Sequence, residues 1–312
     1  MEIRNLGRSG LAVSAVGLGC NNFGATLDLE ATRKVVHTAL DRGITLFDTA
    51  DIYGNRGKSE VMLGAALGAR RKDIVLATKS GKPMDDARTL MGNSRRYIMS
   101  AVEASLKRLK TDWIDLHQLH DPDPKTPIEE TLRALDDLIR QGKIRYVGCS
   151  NFAALEVVEA NWAARAINTN PFTSAQDEYS LLARHHEKAL FPVLEKYRIG
   201  LLPYFPLASG MLTGKYRRGE PAPKGKRLAS PPPFAVRFKS EENYARAEAL
   251  RAFAESRGHT LLELAFSWLA ERPMVASVIA GATKPEQVEA NVKAIAWKLT
   301  DEDRAEVDRL TL

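Results

Sequence analysis

The sequence predicts an α/β protein: a (β/α)8 TIM barrel with an N-terminal β-hairpin cap, a long loop after strand 7 and a C-terminal helix. Three observations predict it. Short runs rich in β-forming residues recur eight times. Segments with helical periodicity separate them. The repeat spans roughly 30 to 40 residues, the size of a strand–helix unit in a parallel sheet. An open doubly wound sheet fits the same alternation, and the count of eight favours the closed barrel.

Met1–Leu11 stands outside the repeat, and Arg8-Ser9-Gly10 reads as a hairpin turn capping the bottom of the barrel. Strands are expected at Val13–Leu18, Ile44–Phe47, Ile74–Thr78, Trp113–Gln118, Ile144–Cys149, Thr173–Gln176, Ile199–Tyr204 and Val275–Ile279. Glu30–Asp41 predicts a helix ending before Gly43. Ser94 is the expected N-cap of a helix whose Ile98, Val102, Leu106 and Leu109 share one stripe. Thr126-Pro127-Ile128-Glu129 predicts a capping box with proline at N1, opening a helix that stops at Gly142. Thr283-Lys284-Pro285-Glu286 and Thr300-Asp301-Glu302-Asp303 read as two further helix starts. No low-complexity linker divides the chain, so residues 1–312 are expected to form a single domain.

Apolar residues make up 44% and charged residues 27%, which argues against disorder. No apolar run is long enough for a membrane span, and MEIRNLGRSG lacks the apolar stretch of a signal peptide. Cys20 and Cys149 make neither a disulfide framework nor a zinc pattern. The expectation is a cytoplasmic protein with no metal and no membrane partner. The net charge of +6 raises a nucleic-acid reading, but the charge is local. Residues 215–239 carry eight Lys/Arg (215, 217, 218, 224, 226, 227, 237 and 239) against Glu220, which leaves the remainder near −1. The segment also holds five prolines and few interleaved aromatics, so no nucleic-acid partner is expected.

Three expected strands end in a titratable group: Asp48 after ITLF, Lys79 after IVLAT, and His120 after WIDLHQL. Tyr53 lies five residues beyond Asp48. Barrel strands bring their C-terminal ends to one mouth, so these four can meet. Tyrosine, with an ordinary pKa near ~10, is a poor proton donor at neutral pH. A neighbouring ammonium is expected to lower that value, with Asp48 holding Lys79 charged and His120 donating to a substrate oxygen. Such a set would protonate a developing alkoxide, which suits carbonyl reduction. Singly, each residue has a plainer reading as a cap, a solvated lysine or a loop histidine. His117 reads as structural.

At these residues the sequence resembles the aldo-keto reductase family, nearer its bacterial and potassium-channel-β-subunit-like branches. The resemblance runs from GLGCNNFG to GATKPEQVEAN through FDTADIYG, ATKSG, DLHQLHDPD, IRYVGCSNF and PYFPLASGMLTGKY. It implies the barrel and NAD(P)H-dependent interconversion of carbonyls and alcohols. It implies Tyr53 as proton donor, Lys79 and Asp48 tuning it, and His120 orienting the carbonyl. By position, Ser150, Asn151 and Gln176 would hold the nicotinamide carboxamide and Tyr204 would stack on its ring. Gly19, Cys20 and Asn21 would line the first loop beside Asp48. Phe205 and Pro206 would also bind the cofactor, ahead of a loop over the pyrophosphate, Leu207–Lys215, that contains Ala208, Ser209 and Gly210. Backbone N–H groups of the last three and the Lys215 charge would serve it. Arg227 would belong to a lid. Gly281, Thr283, Lys284, Gln287 and Asn291 would bind the adenosine phosphate, and Lys284 at a helix N-terminus favours NADPH over NADH.

The sequence departs from the family's commonest pattern at Asn22, His117, Phe205 and Ala290, which bears on the substrate pocket and the adenine site. Gly17-Leu18-Gly19 with Gly24 imitates a dinucleotide fingerprint, but Asn22 occupies the third-glycine position. Some relatives serve as potassium-channel auxiliary subunits with NADP(H) bound. His120 argues against a disabled site of that kind, and the length predicts no long N-terminal regulatory segment. The expected partner is a small-molecule carbonyl.

Overall fold

A computed structural model describes residues 1–224, 227–229 and 233–312. Lys226, Pro231 and Pro232 of the basic segment lie outside the described residues, as do the side chains of Pro233 and Phe234. Strands β1 (Ile3–Asn5) and β2 (Ala12–Ser14) pair antiparallel as a hairpin. Eight strands then run parallel: β3 (Val16–Gly19), β4 (Leu46–Asp48), β5 (Val75–Ser80), β6 (Ile114–Leu119), β7 (Ile144–Ser150), β8 (Ser174–Gln176), β9 (Gly200–Leu201) and β10 (Val278–Gly281). Their order in the sheet is β10-β3-β4-β5-β6-β7-β8-β9. Leu201 closes the cylinder: its N–H donates to the Met274 carbonyl at 2.7 Å, and its carbonyl accepts from Ala276 at 3.0 Å. The eight expected strands are therefore present in a closed (β/α)8 barrel with its hairpin.

Strand ends moved by a few residues. The expected Val13–Leu18 run divides at Ala15, with Ala12–Ser14 in the hairpin and Val16–Gly19 in the barrel. Alternation alone cannot reveal that break, because Val13 and Val16 are both buried. The hairpin caps the bottom as expected. Leu6 is fully buried, and the Arg8 N–H donates to the Arg198 carbonyl at 2.9 Å. Within the barrel, Leu6, Val13, Leu46, Ala77, Leu116, Leu202, Ala276 and Ile279 form one apolar cluster.

Helices α1 (Leu29–Asp41), α2 (Tyr53–Leu67), α3 (Arg95–Leu109), α4 (Ile128–Arg140), α5 (Ala154–Ala166), α6 (Leu190–Tyr197), α7 (Glu241–Ser256), α8 (Leu261–Ala270) and α9 (Pro285–Lys293) surround the strands, and α9 closes the ring against α1. The C-terminal helix α10 (Asp301–Thr311) packs on α7. Ser94 and Thr300 cap α3 and α10 as expected. The capping box at Thr126 does not form. The Thr126 hydroxyl donates to Asp123 at 2.8 Å instead, and Pro127 is the N-cap rather than N1. The long loop after β9 is less irregular than its prolines suggested, since Ala208–Thr213 and Pro233–Lys239 are 3-10 turns. Among the described residues, no helix is long and apolar enough to cross a membrane.

Candidate active site

The sheet order places β4, β5 and β6 side by side, so Asp48, Lys79 and His120 converge at the mouth. Lys79 is fully buried, and a bare ammonium there would be very costly. Three acceptors satisfy it. Nζ donates to Asp48 Oδ1 and Oδ2 at 2.8 Å each and to the Thr49 carbonyl at 2.7 Å. Burial pushes the Lys79 pKa down, but the Asp48 carboxylate and the Tyr53 phenol outweigh it and hold it above its ordinary value.

Tyr53 opens α2. Residues Gly54, Asn55, Arg56 and Gly57 follow with φ of 67°, 63°, 63° and 110°, a left-handed turn preceding the regular helix. A Cβ at Gly54 would sit 2.5 Å from the Phe23 carbonyl oxygen, so only glycine fits this approach. The turn sets the Tyr53 ring 5.0 Å from Lys79 Nζ and edge-on to His120, with centroids 5.6 Å apart. The expected lowering of the Tyr53 pKa does not occur in this state. Burial raises it, Lys79 pulls it down without cancelling that, and Asp48 raises it further. The phenol is thus held protonated, as a donor must be.

His120 is buried, and its Nδ1 has no partner among the described residues. Burial, then the charges of Lys79 and Lys82, hold its pKa well below the ordinary value. It is therefore a neutral imidazole at neutral pH. His117 faces the other side of β6. It is fully buried beside the Ser80 hydroxyl, 3.1 Å from Nε2, and burial lowers its pKa to about 4.

Around this set the expected cofactor residues form a connected rim. The Asn151 amide donates to the His120 carbonyl at 2.9 Å and to Asp121 at 3.0 Å, and its oxygen accepts from the Tyr204 hydroxyl at 2.8 Å. The Ser150 hydroxyl donates to the Gln176 carbonyl at 2.8 Å. The Gln176 side-chain amide donates to Asp48 Oδ1 at 2.9 Å, tying a predicted nicotinamide residue to the acid–base cluster. Phe205 stands edge-on to Tyr204, 5.2 Å away, and Pro206 and Leu207 lead into the loop. Gly19 pairs in register with Asp48 and Gly281, and the Cys20 N–H donates to the Asp48 carbonyl at 2.8 Å; Asn21 follows.

The phosphate loop differs from expectation. Ala208, Ser209 and Gly210 have φ of 45°, 56° and 98°, but the Ala208 and Gly210 N–H groups are used inside the loop by Phe205 and Leu207. The Ser209 hydroxyl is buried and has no partner among the described residues. A Cβ at Gly210 would lie 3.0 Å from Lys215 Nζ, so glycine keeps room for that ammonium. Arg227 donates to the Asn22 side-chain oxygen at 3.3 Å, linking the long loop to the first loop across the mouth. Lys284 stands at the N-cap position of α9 without a side-chain cap bond, and Pro285 follows at N1. The Gln287 oxygen accepts from the Thr283 N–H and hydroxyl at 2.7 and 3.1 Å, and Asn291 is buried one turn on. A buried serine hydroxyl with no partner among the described residues, a lysine ammonium beside a glycine and a helix N-terminus suit a phosphorylated dinucleotide.

Two residues here escaped the sequence reading. Gln118 is fully buried and donates to Asp48 Oδ1 at 3.4 Å. A polar residue two places before His120, and so on the same face of the strand, was its signal. Asp177 is buried beyond Gln176, and neither carboxyl oxygen has a partner among the described residues.

The barrel, the acid–base cluster at its mouth and the phosphate-suited rim define a class of dinucleotide-dependent oxidoreductases. The sequence pattern of the Aldo/keto reductase family matches residues 15–311, and the chain belongs to that family. Its members in general are NADPH-dependent oxidoreductases that bind NADP(H). The chain is 38% identical over 303 residues to a probable voltage-gated potassium channel subunit beta of Arabidopsis thaliana, covering 95% of this chain and 91% of that protein. It is also 38% identical to a probable subunit of the same name in Oryza sativa subsp. japonica (95% and 91% covered). A putative one in Schizosaccharomyces pombe is likewise 38% identical (99% and 93% covered).

Burial raises the Asp177 carboxyl to about 7, against an ordinary 3.8. A carboxyl whose folded pKa is raised loses stability as pH rises from the unfolded value through the folded one. Asp177→Asn, which keeps the neutral shape, is expected to stabilise the protein by about 2–3 kcal/mol more at pH 8 than at pH 5. Urea unfolding at the two pH values measures this, and equal gains would contradict the assignment.

Proposed function

We propose that this chain reduces an aldehyde or ketone to its alcohol, reversibly, with NADPH as reductant. The observation that carries the reading is the buried Lys79–Asp48 pair set against Tyr53 and a neutral His120. A dinucleotide held in the rim would supply the hydride for the carbonyl carbon. Ser150, Asn151, Gln176 and Tyr204 would seat its nicotinamide. Ser209 and Lys215 would meet its pyrophosphate, with Arg227 over it, and Lys284, Gln287 and Asn291 would take its adenosine phosphate.

The residues of the chain do the rest. His120, neutral, donates a hydrogen bond to the carbonyl oxygen and orients it. Tyr53 Oη passes its proton to that oxygen as negative charge develops there. Lys79 stabilises the phenolate left behind, and Asp48 keeps Lys79 charged and in place. The Tyr53 proton is returned from solvent.

A second reading has a specific support, the names of the three relatives. On that reading the chain is an NADP(H)-binding auxiliary or redox-sensing subunit with slow turnover. His120 and the intact cluster favour the reductase. NADPH consumption over small aldehydes, sugars and aromatic aldehydes separates the two. Binding of NADPH with no turnover on any of them favours the second.

Tyr53→Phe is expected to lower kcat by about 10²–10⁴-fold while leaving NADPH affinity nearly unchanged. Retention of most of the turnover would sink the assignment. Lys284→Ala is expected to raise the Kd for NADPH far more than that for NADH, as read by fluorescence titration. Equal effects would mean that Lys284 does not read the 2′-phosphate.

A further inference from the structure

We propose that Gln118 is a positioning residue for the proton-delivery cluster: it clamps Asp48 from inside the barrel, so that the carboxylate holds Lys79 aimed at Tyr53. The inference rests on the reductase reading above. Asp48 Oδ1 accepts from three side chains, Lys79 at 2.8 Å, Gln176 at 2.9 Å and Gln118 at 3.4 Å. Gln176 lies in the proposed nicotinamide seat. Gln118 lies deeper, and nothing in the reaction so far uses it.

The placement of Gln118 is built rather than incidental. Its amide is fully buried, which is tolerable only when hydrogen-bonded. The amide N–H bonds Asp48 on β4, and the amide oxygen accepts from the Ser174 hydroxyl on β8 at 3.3 Å. Gln118 on β6 thus bridges two strands that are not its neighbours. That crossing passes over Gly148 of β7, which pairs in register with both Gln118 and Ser174. A Cβ at Gly148 would fall 2.1 Å from Ser174 Oγ and 3.2 Å from Gln118 Cγ. The glycine leaves the space that the Ser174–Gln118–Asp48 chain occupies. Side chains from alternate strands forming a layer are the packing rule of such barrels. Here the layer is polar, and it ends on the catalytic carboxylate.

Without the clamp, Asp48 keeps its charge partner but gains freedom to turn, and the Lys79 ammonium turns with it. Small misplacements of acid–base groups cost up to about 100-fold in rate. The titratable groups gathered at this cluster are Asp48 (β4), Lys79 (β5), Tyr53 (start of α2), His120 (after β6), Cys20 (after β3) and Lys82 (after β5), which is paired with Asp121.

The test compares wild type with Gln118→Leu and Gln118→Glu, by kcat for an accepted aldehyde from about pH 5 to pH 9 and by NADPH fluorescence titration. Gln118→Leu is expected to lower kcat about 10- to 100-fold with NADPH affinity within about twofold of wild type. Gln118→Glu is isosteric. Protonated, its O–H donates to Asp48 as the amide does; ionised, it repels Asp48 and competes for Lys79. Its activity relative to wild type is therefore expected to approach one at acidic pH and to fall as pH rises. Wild-type kcat in the leucine variant, or a wild-type pH profile in the glutamate variant, overturns the proposal. So does an equal loss of NADPH affinity. If the leucine variant does not fold, the glutamate profile decides. If wild type turns over no carbonyl, the reductase reading fails while this inference is still judged. The Tyr53 phenol is then titrated by ultraviolet difference against Tyr53→Phe. Gln118→Leu should displace that titration, and an unmoved one overturns the clamp.

Discussion

The buried ion pair between Lys79 and Asp48 is the constraint on which the rest of the mouth depends. An ammonium with no solvent exposure persists only if nearly every donor is matched, and here two carboxylate oxygens and the Thr49 carbonyl match it. Replacing such a pair by well-packed apolar residues is often neutral or stabilising, so stability alone gives little reason to keep it. Its value lies in the charge it fixes beside Tyr53. The same burial that makes the pair costly also holds the phenol protonated and His120 neutral. One desolvated pocket therefore sets three protonation states in the sense that proton donation to an alkoxide requires.

The barrel supplies the precision. Asp48 and Lys79 sit on neighbouring parallel strands and His120 directly follows the next one, so strand register fixes their relative heights. Tyr53 follows β4 by five residues, its N–H donating to the Ala50 carbonyl at 3.2 Å, and the chain then reverses through a left-handed turn at Gly54. The rim is tied to the same core: Gln176 bonds Asp48, and Tyr204 reaches the His120 backbone through Asn151. A ligand seated on that rim touches residues already connected to the acid–base set.

Much of this was legible in the chain. The strand–helix alternation, the hairpin, the Ser94 and Thr300 caps and the convergence of Asp48, Lys79 and His120 follow from periodicity and from titratable residues at strand ends. What escaped depends on three-dimensional placement. The split at Ala15 is invisible because Val13 before it and Val16 after it are both apolar and buried. The Thr126 capping box lost to a nearer acceptor, Asp123. The Tyr53 pKa moved opposite to expectation because the sequence shows the ammonium but not the depth of burial. The phosphate loop's N–H groups are used internally at Ala208 and Gly210, which no residue pattern reveals. The basic excess that first suggested a polyanion sits on the long loop beside the mouth, where Arg227 reaches Asn22.

The central claim is that Lys79 acts through Tyr53 and not beside it. A double-mutant cycle on kcat/KM measures this directly, with Lys79→Met, Tyr53→Phe and the combined variant assayed on one aldehyde. The account predicts that the combined variant is no slower than Tyr53→Phe alone, because without the phenol the ammonium has no proton to steer. Losses that multiply, each residue contributing independently, would contradict it.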